Sequence, residues 1–190
     1  LLINEFIKDY KKKTTWLYLL LLFGIILLNS YFTKRQFEDG IDAVKILSGL
    51  TVVSTSVAMI FSLIMLANNL SQEYSKGTIK FLYTKPKSRS AILTAKIVLA
   101  FINYIIFLVV GTVFDFLTKY YVFFNRKVGL NHLNDTIEEG YFGRTVAKQL
   151  IITNLADLAV FIFFVAMVVL VCVVFKTQIL SASFIASSIS

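Results

Sequence analysis

Cysteine, histidine, proline and charged residues are all scarce in this sequence of 190 residues. One cysteine excludes an internal disulfide framework and any zinc site built from several cysteines, and one histidine leaves little for histidine-based metal or acid–base chemistry. A single proline also excludes collagen-like repeats. Only 16% of the residues are charged and 57% are hydrophobic, and the mean hydropathy is +0.77. This composition is that of an integral membrane protein.

Long stretches without Asp, Glu, Lys or Arg mark the segments that can cross a bilayer. A hydrocarbon core of about 30 Å needs roughly 20 helical residues. The sequence therefore predicts an all-α, polytopic membrane protein with four full spans. The start of a fifth is too short to cross, so we expect the chain to be cut from a longer one. The four spans and the partial fifth cover residues 14–33, 46–72, 97–114, 149–175 and 177–190.

The basic excess of +8 falls mainly on one side of this predicted membrane. Residues 1–13, 73–96 and Lys176 together hold 11 basic and three acidic side chains. The connections 34–45 and 115–148 hold eight basic and seven acidic ones. Because cytoplasmic loops are enriched in Lys and Arg, this asymmetry predicts a cytoplasmic N-terminus. The charge therefore needs no nucleic-acid partner.

Residues 1–13 are predicted to form an amphipathic helix that precedes the first span. Ile3, Phe6, Ile7 and Tyr10 recur at the spacing of one helical face. Such an elbow helix lies on membrane lipid in the interface before the chain enters the bilayer. The alternative is that these residues are the frayed start of the first span.

The cytoplasmic connection 73–96 contains a second short helix in this prediction. Gly77 permits a sharp change of direction, and Thr78 can cap the helix that follows it. Pro86 ends that helix, because proline cannot continue the hydrogen-bond ladder.

This short helix has an apolar face made of Ile79, Leu82 and Tyr83, with lysines around it. An apolar face with a basic rim on a cytoplasmic connection favours a docking surface for another protein. The alternative is a re-entrant or interfacial helix that lies on lipid.

The same connection carries a spaced set of residues, namely Glu73, Gly77, Thr78, Leu82, Thr84, Pro86, Ser88, Arg89 and Lys96. This set resembles the E-x-x-x-G-T … P-x-S-R … K pattern of ABC-2 type permeases, the membrane subunits of bacterial ATP-binding-cassette exporters. The resemblance implies a six-span permease whose 73–96 segment, Glu73 and Arg89 included, is the coupling helix that docks on an ATPase. It also implies two cytoplasmic ATPase subunits and a second permease, identical or different. This chain has no G-x-x-x-x-G-K run, so ATP and Mg are expected on the partner ATPase and no cofactor in this chain.

Asp157 is the only ionisable residue inside a predicted span. A carboxylate at mid-membrane is costly and usually faces a cavity or a partner. Ser54 and Thr55 are predicted at a similar depth in the second span, so the three residues form a candidate substrate path. The alternative places Asp157 near the outer interface, where water hydrates it. A separate pattern, Ser54, Ala58 and Ser62, predicts close helix packing within the bundle or against a second subunit.

These features favour a permease subunit that exports an amphipathic or hydrophobic substrate such as a peptide, including an antimicrobial peptide, a drug or a lipid. The alternative is a non-transporting immunity or sensor subunit that binds a peptide. No catalytic residue and no metal site are predicted, and an intramembrane enzyme is disfavoured because only His132 is available as a histidine.

Overall fold

The computed structural model describes residues 2–36, 43–49, 51–75, 89–122, 130–137 and 144–189. Within these ranges the chain forms six α-helices and one 3₁₀ helix, with an antiparallel bridge between Thr136 and Thr145. The elements are α1 (Leu2–Tyr10), α2 (Lys13–Gln36), α3 (Ala43–Ser48), α4 (Val52–Ser75), α5 (Arg89–Val122), the 3₁₀ helix (Leu130–Asn134) and α6 (Val146–Ile189).

Four helical stretches are long and apolar enough to cross a membrane. Helices suit this role because all backbone polar groups are satisfied within the segment. The prediction of an all-α, polytopic membrane protein with four full spans is therefore confirmed. The four stretches are Lys13–Arg35, Val44–Ser71, Ile92–Tyr121 and Val146–Cys172.

Helix α5 is longer than its charge-free stretch, because it continues through Asp115 to Val122. Asp115 and Lys119 lie one turn apart, with 3.0 Å between the carboxylate oxygen and Nζ. Both side chains are buried. A paired charge is tolerated inside a bundle where a lone charge is not, so the first charge did not end the helix. The helix therefore runs beyond the predicted span 97–114 and into the predicted outer connection 115–148.

Helix α6 runs without a break from Val146 to Ile189. The charge pattern alone predicts a boundary at Lys176, between the fourth span and the start of a fifth. Lysine is a good helix former, and residues 170–189 contain no glycine or proline. The charge therefore interrupts the apolar run without interrupting the helix.

Helix α4 lies at the centre of the bundle and packs against α5, α6 and α2. Its small residues Ser54, Ala58 and Ser62 are fully buried. A Cβ added to Gly111 of α5 would lie 3.1 Å from the Ser54 Cβ, so the two helices approach closely here. Packing of this small-residue face inside the bundle is confirmed. Larger side chains around it include Leu22, Ile26, Phe61, Met65, Leu66, Tyr104, Phe107 and Phe161.

Helix α6 contributes least to this core, since only 11% of its spanning window is buried. Its contact with the bundle runs through Phe161, whose ring stacks on Tyr104 of α5 with 4.3 Å between centroids. The remaining surface of the spanning window is largely apolar and exposed, as expected of a helix that faces lipid or another membrane-embedded chain.

Candidate functional site

Most of the predicted ATPase-coupling residues lie outside the described residues. These are Gly77, Thr78, Ile79, Leu82, Tyr83 and Pro86. Glu73 and Arg89 belong to the described helical backbone, near the end of α4 and at the start of α5. The structure therefore describes the two helix ends from which the segment leaves, and a polar site lies between them.

The centre of this site is the carboxylate of Asp9, a residue of α1 that is only 1% exposed. Asn69 of α4 donates from Nδ2 to Asp9 Oδ2 at 2.6 Å. Lys12 Nζ lies 2.8 Å from Asp9 Oδ1 and 2.7 Å from Asn69 Oδ1. The three side chains form a closed triangle between α1 and the end of α4. Charge-assisted hydrogen bonds of this kind are short and strong.

Lys96 brings helix α5 into the same site. It is 3% exposed, and its Nζ donates to the Asn69 carbonyl oxygen at 2.9 Å. The same Nζ lies 3.6 Å from Oε2 of Glu5 on α1. The two carboxylates of α1, Glu5 and Asp9, thus lie beside two lysines, Lys12 just before α2 and Lys96 near the start of α5. Asn69, near the end of α4, contacts both lysines. We call Glu5, Asp9, Lys12, Asn69 and Lys96 the junction cluster.

The chain between α1 and α2 is held in a tight turn that places Asp9 and Lys12 side by side. Thr15 donates from Oγ1 to the Asp9 carbonyl at 2.6 Å, and Trp16 donates from Nε1 to the Tyr10 carbonyl at 3.2 Å. These bonds satisfy carbonyls that the end of α1 leaves free. Burial, and then the charge of Asp9, raise the pKa of Tyr10 to about 12, so its hydroxyl is neutral at physiological pH.

The junction cluster can transmit motion because it joins α1, the turn that follows it, α4 and α5 by buried polar contacts. Removing one partner of a buried ion pair costs about 3–5 kcal/mol, because the other charge stays buried without compensation. A pocket of about 70 Å³ lies beside Asp9, Lys12 and Asn69, which is room for a few water molecules. Because these contacts join α1 to both helix ends, a displacement of one of them also moves the others.

Sequence reasoning included Lys96 in the coupling pattern but missed Asp9, Lys12 and Asn69 as site residues. Two signals were available. Asp9 is an acidic residue on the polar side of an amphipathic helix, and Asn69 is a polar residue inside a long uncharged stretch. Neither signal shows that the two residues meet, because 60 positions separate them in the sequence.

The structure describes Ser54, Thr55 and Asp157. The hydroxyl groups of Ser54 and Thr55 donate hydrogen bonds to a carbonyl at the start of their own helix. Ser54 Oγ donates to the Thr51 carbonyl at 3.1 Å, and Thr55 Oγ1 donates to the same carbonyl at 2.8 Å. No hydrogen bond joins Asp157 to either residue in the described part of the chain. Asp157 is half-buried, and the buried hydroxyl of Tyr104 has no hydrogen-bond partner among the described residues.

Two contacts between helices show where Asp157 lies along the bundle relative to Ser54. Phe161 is level with Tyr104, and Ser54 is level with Gly111. Asp157 lies one turn before Phe161, about 6 Å, whereas Gly111 lies seven residues after Tyr104, about 10 Å. Asp157 is therefore about 4 Å further into the bundle than Ser54 by helical rise.

A second buried polar site lies at the opposite end of the bundle. There Lys119 pairs with Asp115 and donates to the Gly49 carbonyl at 3.2 Å. A small apolar cap packs nearby and joins α3, residue 137 and the start of α6. Its buried residues are Ile46, Leu47, Ile137 and Val146.

A family model described as "ABC-2 family transporter protein" matches residues 1–188. The chain belongs to the ABC-2 transporter family. No curated protein and no solved structure matches it.

As a member of the ABC-2 family, the chain is a multi-pass membrane permease component of an ABC transporter. In this family the ATPase activity lies in separate subunits, so the chain associates with an ABC ATPase partner. The junction cluster is then the buried polar site at the membrane helices that lead into and out of residues 76–88 of this ABC-2 permease. Among the described residues, no group of three or more His, Cys, Asp or Glu could hold a metal ion.

Proposed function

We propose that this chain is the membrane-spanning permease subunit of an ATP-driven exporter that moves an amphipathic or hydrophobic substrate out of the cell. The substrate classes that suit an aromatic-rich bundle with few polar groups are peptides, drugs and lipids. Family membership supports the permease role, and the positive charge on residues 1–13 and 73–96 supports a cytoplasmic N-terminus. A cysteine placed at Asn134 should therefore react from outside, while one placed at Ser75 should not.

The observation that carries the proposal is the junction cluster. Asn69 and Lys96 lie seven residues from Lys76 and Arg89, on the two helices that lead into and out of the predicted coupling segment. Asn69 Nδ2 holds the Asp9 carboxylate at 2.6 Å, and Lys96 Nζ holds the Asn69 carbonyl at 2.9 Å. A push by the ATPase on the coupling segment therefore moves both helix ends and α1 together.

The partners of this permease are two cytoplasmic ABC ATPase subunits, which bind ATP and Mg, and a second permease subunit, identical or different. The exposed apolar surface of α6 supports a membrane-embedded neighbour, either lipid or the second subunit. Alternating access follows when closure of the ATPases tilts the spans of both permeases.

The substrate path is proposed to pass Asp157 and Tyr104. Asp157 is half-buried in a spanning helix, and a carboxylate there usually faces a cavity or a partner. Ser54 and Thr55 lie nearer the end of the path, with hydroxyls that are already bonded to their own helix. Asp157→Leu should reduce export while the protein still inserts into the membrane. Full export by this variant would show that Asp157 lies outside the path, hydrated near the outer interface.

The decisive experiment is Leu82→Asp, assayed for ATPase co-purification and for transport. If Leu82 docks into the ATPase, a buried unpaired charge should weaken binding by several kcal/mol, about a thousandfold. Leu130→Asp is the matched control, because Leu130 is 64% exposed in the connection at the other end of the bundle. Normal ATPase association in Leu82→Asp would contradict the docking role. Failure of the wild-type chain to bind any ATPase would favour the immunity or sensor alternative.

A further inference from the structure

We propose that the outward side of α1, together with the turn and the first residues of α2, is a binding surface for anionic phospholipid headgroups in the leaflet at that end of the bundle. This surface consists of Ile3, Ile7, Lys8, Lys11, Lys13 and Trp16, and we call it the elbow surface. The proposal goes beyond the transport function and does not depend on it.

The elbow surface has an apolar stripe that points away from the bundle. Ile3 is 71% exposed and Ile7 is 45% exposed, whereas Asp9 on the opposite side of the same helix is buried. Trp16 is 62% exposed, and its Nε1 is held by the Tyr10 carbonyl at the turn into α2. An apolar stripe beside an exposed tryptophan suits the boundary between headgroups and acyl chains.

The charged residues of this region are sorted between the two sides of α1. The acidic side chains face inward, because Asp9 is buried in the junction cluster and Glu5 lies near Lys96. Lys8 remains 59% exposed at 3.7 Å from Glu5, a long separation for an ion pair. Lys11 and Lys13 are exposed as well. The surface that meets the surroundings is therefore basic.

Lipid phosphate is the anion that this position favours. The surface adjoins the start of the spanning helix α2 at Lys13, so its lysines lie at the level where headgroups begin. Because its apolar stripe adjoins a spanning helix, the bilayer places acyl chains and anionic headgroups directly beside it. Basic residues beside a membrane-embedded segment bind anionic lipids electrostatically.

Trp16 makes the test direct, because it is the only tryptophan in the chain. The permease is reconstituted in phosphatidylcholine vesicles that contain increasing amounts of phosphatidylglycerol brominated at acyl carbons six and seven. A parallel series contains brominated phosphatidylcholine. Bromine quenches tryptophan at short range, so the two curves give the relative affinity of each lipid for the site beside Trp16. We expect the anionic lipid to be favoured by roughly five-fold or more, the value for one lysine near an anionic surface.

The triple variant Lys8→Gln, Lys11→Gln, Lys13→Gln should lose this preference. The matched control is Lys34→Gln, Arg35→Gln, which removes exposed charges from the other end of α2 and should keep it. Raising the salt concentration in wild-type vesicles should also reduce the preference, because salt screens exposed charges. The salt series uses the wild-type protein, so it tests the proposal even if the triple variant does not insert into the membrane. Equal quenching by the two lipids in the wild type at low salt, or an unchanged preference in an inserted triple variant, would overturn the proposal.

Discussion

At the end of the bundle where α1 lies, charged side chains from separate helices hold one another. At the opposite end, the buried pair of Asp115 and Lys119 lies within a single helix, one turn apart. Asp9, in contrast, accepts from Asn69 across 60 positions of sequence. Both sites bury charge, but the first joins three helices, whereas the second joins α5 to one carbonyl just after α3.

The difference has a mechanical consequence. The ion pair lies within α5, and in the described part of the chain Lys119 links it to the rest of the bundle by the 3.2 Å bond to the Gly49 carbonyl. The junction cluster links α1 to α4 and α5 through several bonds to Asp9, Asn69 and Lys96. We therefore expect substitutions at the junction cluster to affect stability and transport together, and those at the opposite end to affect mainly stability.

The largest effect is expected for Asp9→Ala. It removes the carboxylate that pairs with Lys12 and accepts from the Asn69 amide, and the free energy of unfolding should fall by about 3 kcal/mol. Cys172 is a half-buried free thiol and the only cysteine. A thiol-reactive fluorogenic dye in a thermal ramp can therefore report unfolding.

The control for this variant is Asp135→Ala. Asp135 pairs with His132 at 2.7 Å, but its side chain is 48% exposed. An exposed pair contributes at most about 1 kcal/mol, so the unfolding midpoint should move little. Equal midpoints for the two variants would show that the junction cluster does not stabilise the bundle.

Replacing both partners of each buried ion pair by apolar residues should show more clearly how the two ends of the bundle differ in their effect on stability and transport. Asp115→Leu with Lys119→Met should stay within about 1 kcal/mol of the wild type and keep transport, because a buried ion pair can be exchanged for apolar side chains. Asp9→Leu with Lys12→Met should lose about 2 kcal/mol and most transport, because the charged hydrogen bonds to Asn69 disappear. Both are measured by the thermal ramp and by substrate transport in vesicles. Full transport in the junction variant would remove the mechanical role of the cluster.

The smallest effect is expected for Tyr10→Phe, which removes a buried hydroxyl that has no hydrogen-bond partner among the described residues. At neutral pH the free energy of unfolding should therefore fall by less than about 1 kcal/mol or rise slightly. Burial raises the pKa of Tyr10 from 10.0 to about 12. The folded state thus disfavours the phenolate, and the wild type should lose stability as the pH rises from 10 towards 12.

The phenylalanine variant lacks this titration, so the difference between the two midpoints should change only within that pH window. A difference that stays constant from pH 9 to 12 would show that Tyr10 does not titrate with a raised pKa. Because the Tyr10 ring stacks on Phe6 at 4.5 Å, the variant preserves the ring contact and tests the hydroxyl alone.

The number of spans and the helical class could be predicted from the sequence because they depend on local properties. An apolar stretch of about 20 residues is long enough to cross a bilayer whatever its neighbours do. The amphipathic pattern of residues 3–10 likewise predicted α1. The length of α5 beyond the predicted span 97–114 could not be read from a rule that stops at charges, because Asp115 pairs with Lys119 one turn further along the same helix.

The sequence by itself determined that this chain is a membrane-spanning helical protein with a basic end, an elbow helix and a coupling-type pattern between its second and third spans. Only the tertiary structure decided which polar residues meet. A sequence contains the spacing of Asp9, Asn69 and Lys96 along the chain, but it does not contain the rotation of each helix about its axis. That rotation is set by packing, as in the close approach of Gly111 to Ser54 between α5 and α4. In the folded chain Asp9 contacts Asn69, while Ile3 and Ile7 face outward.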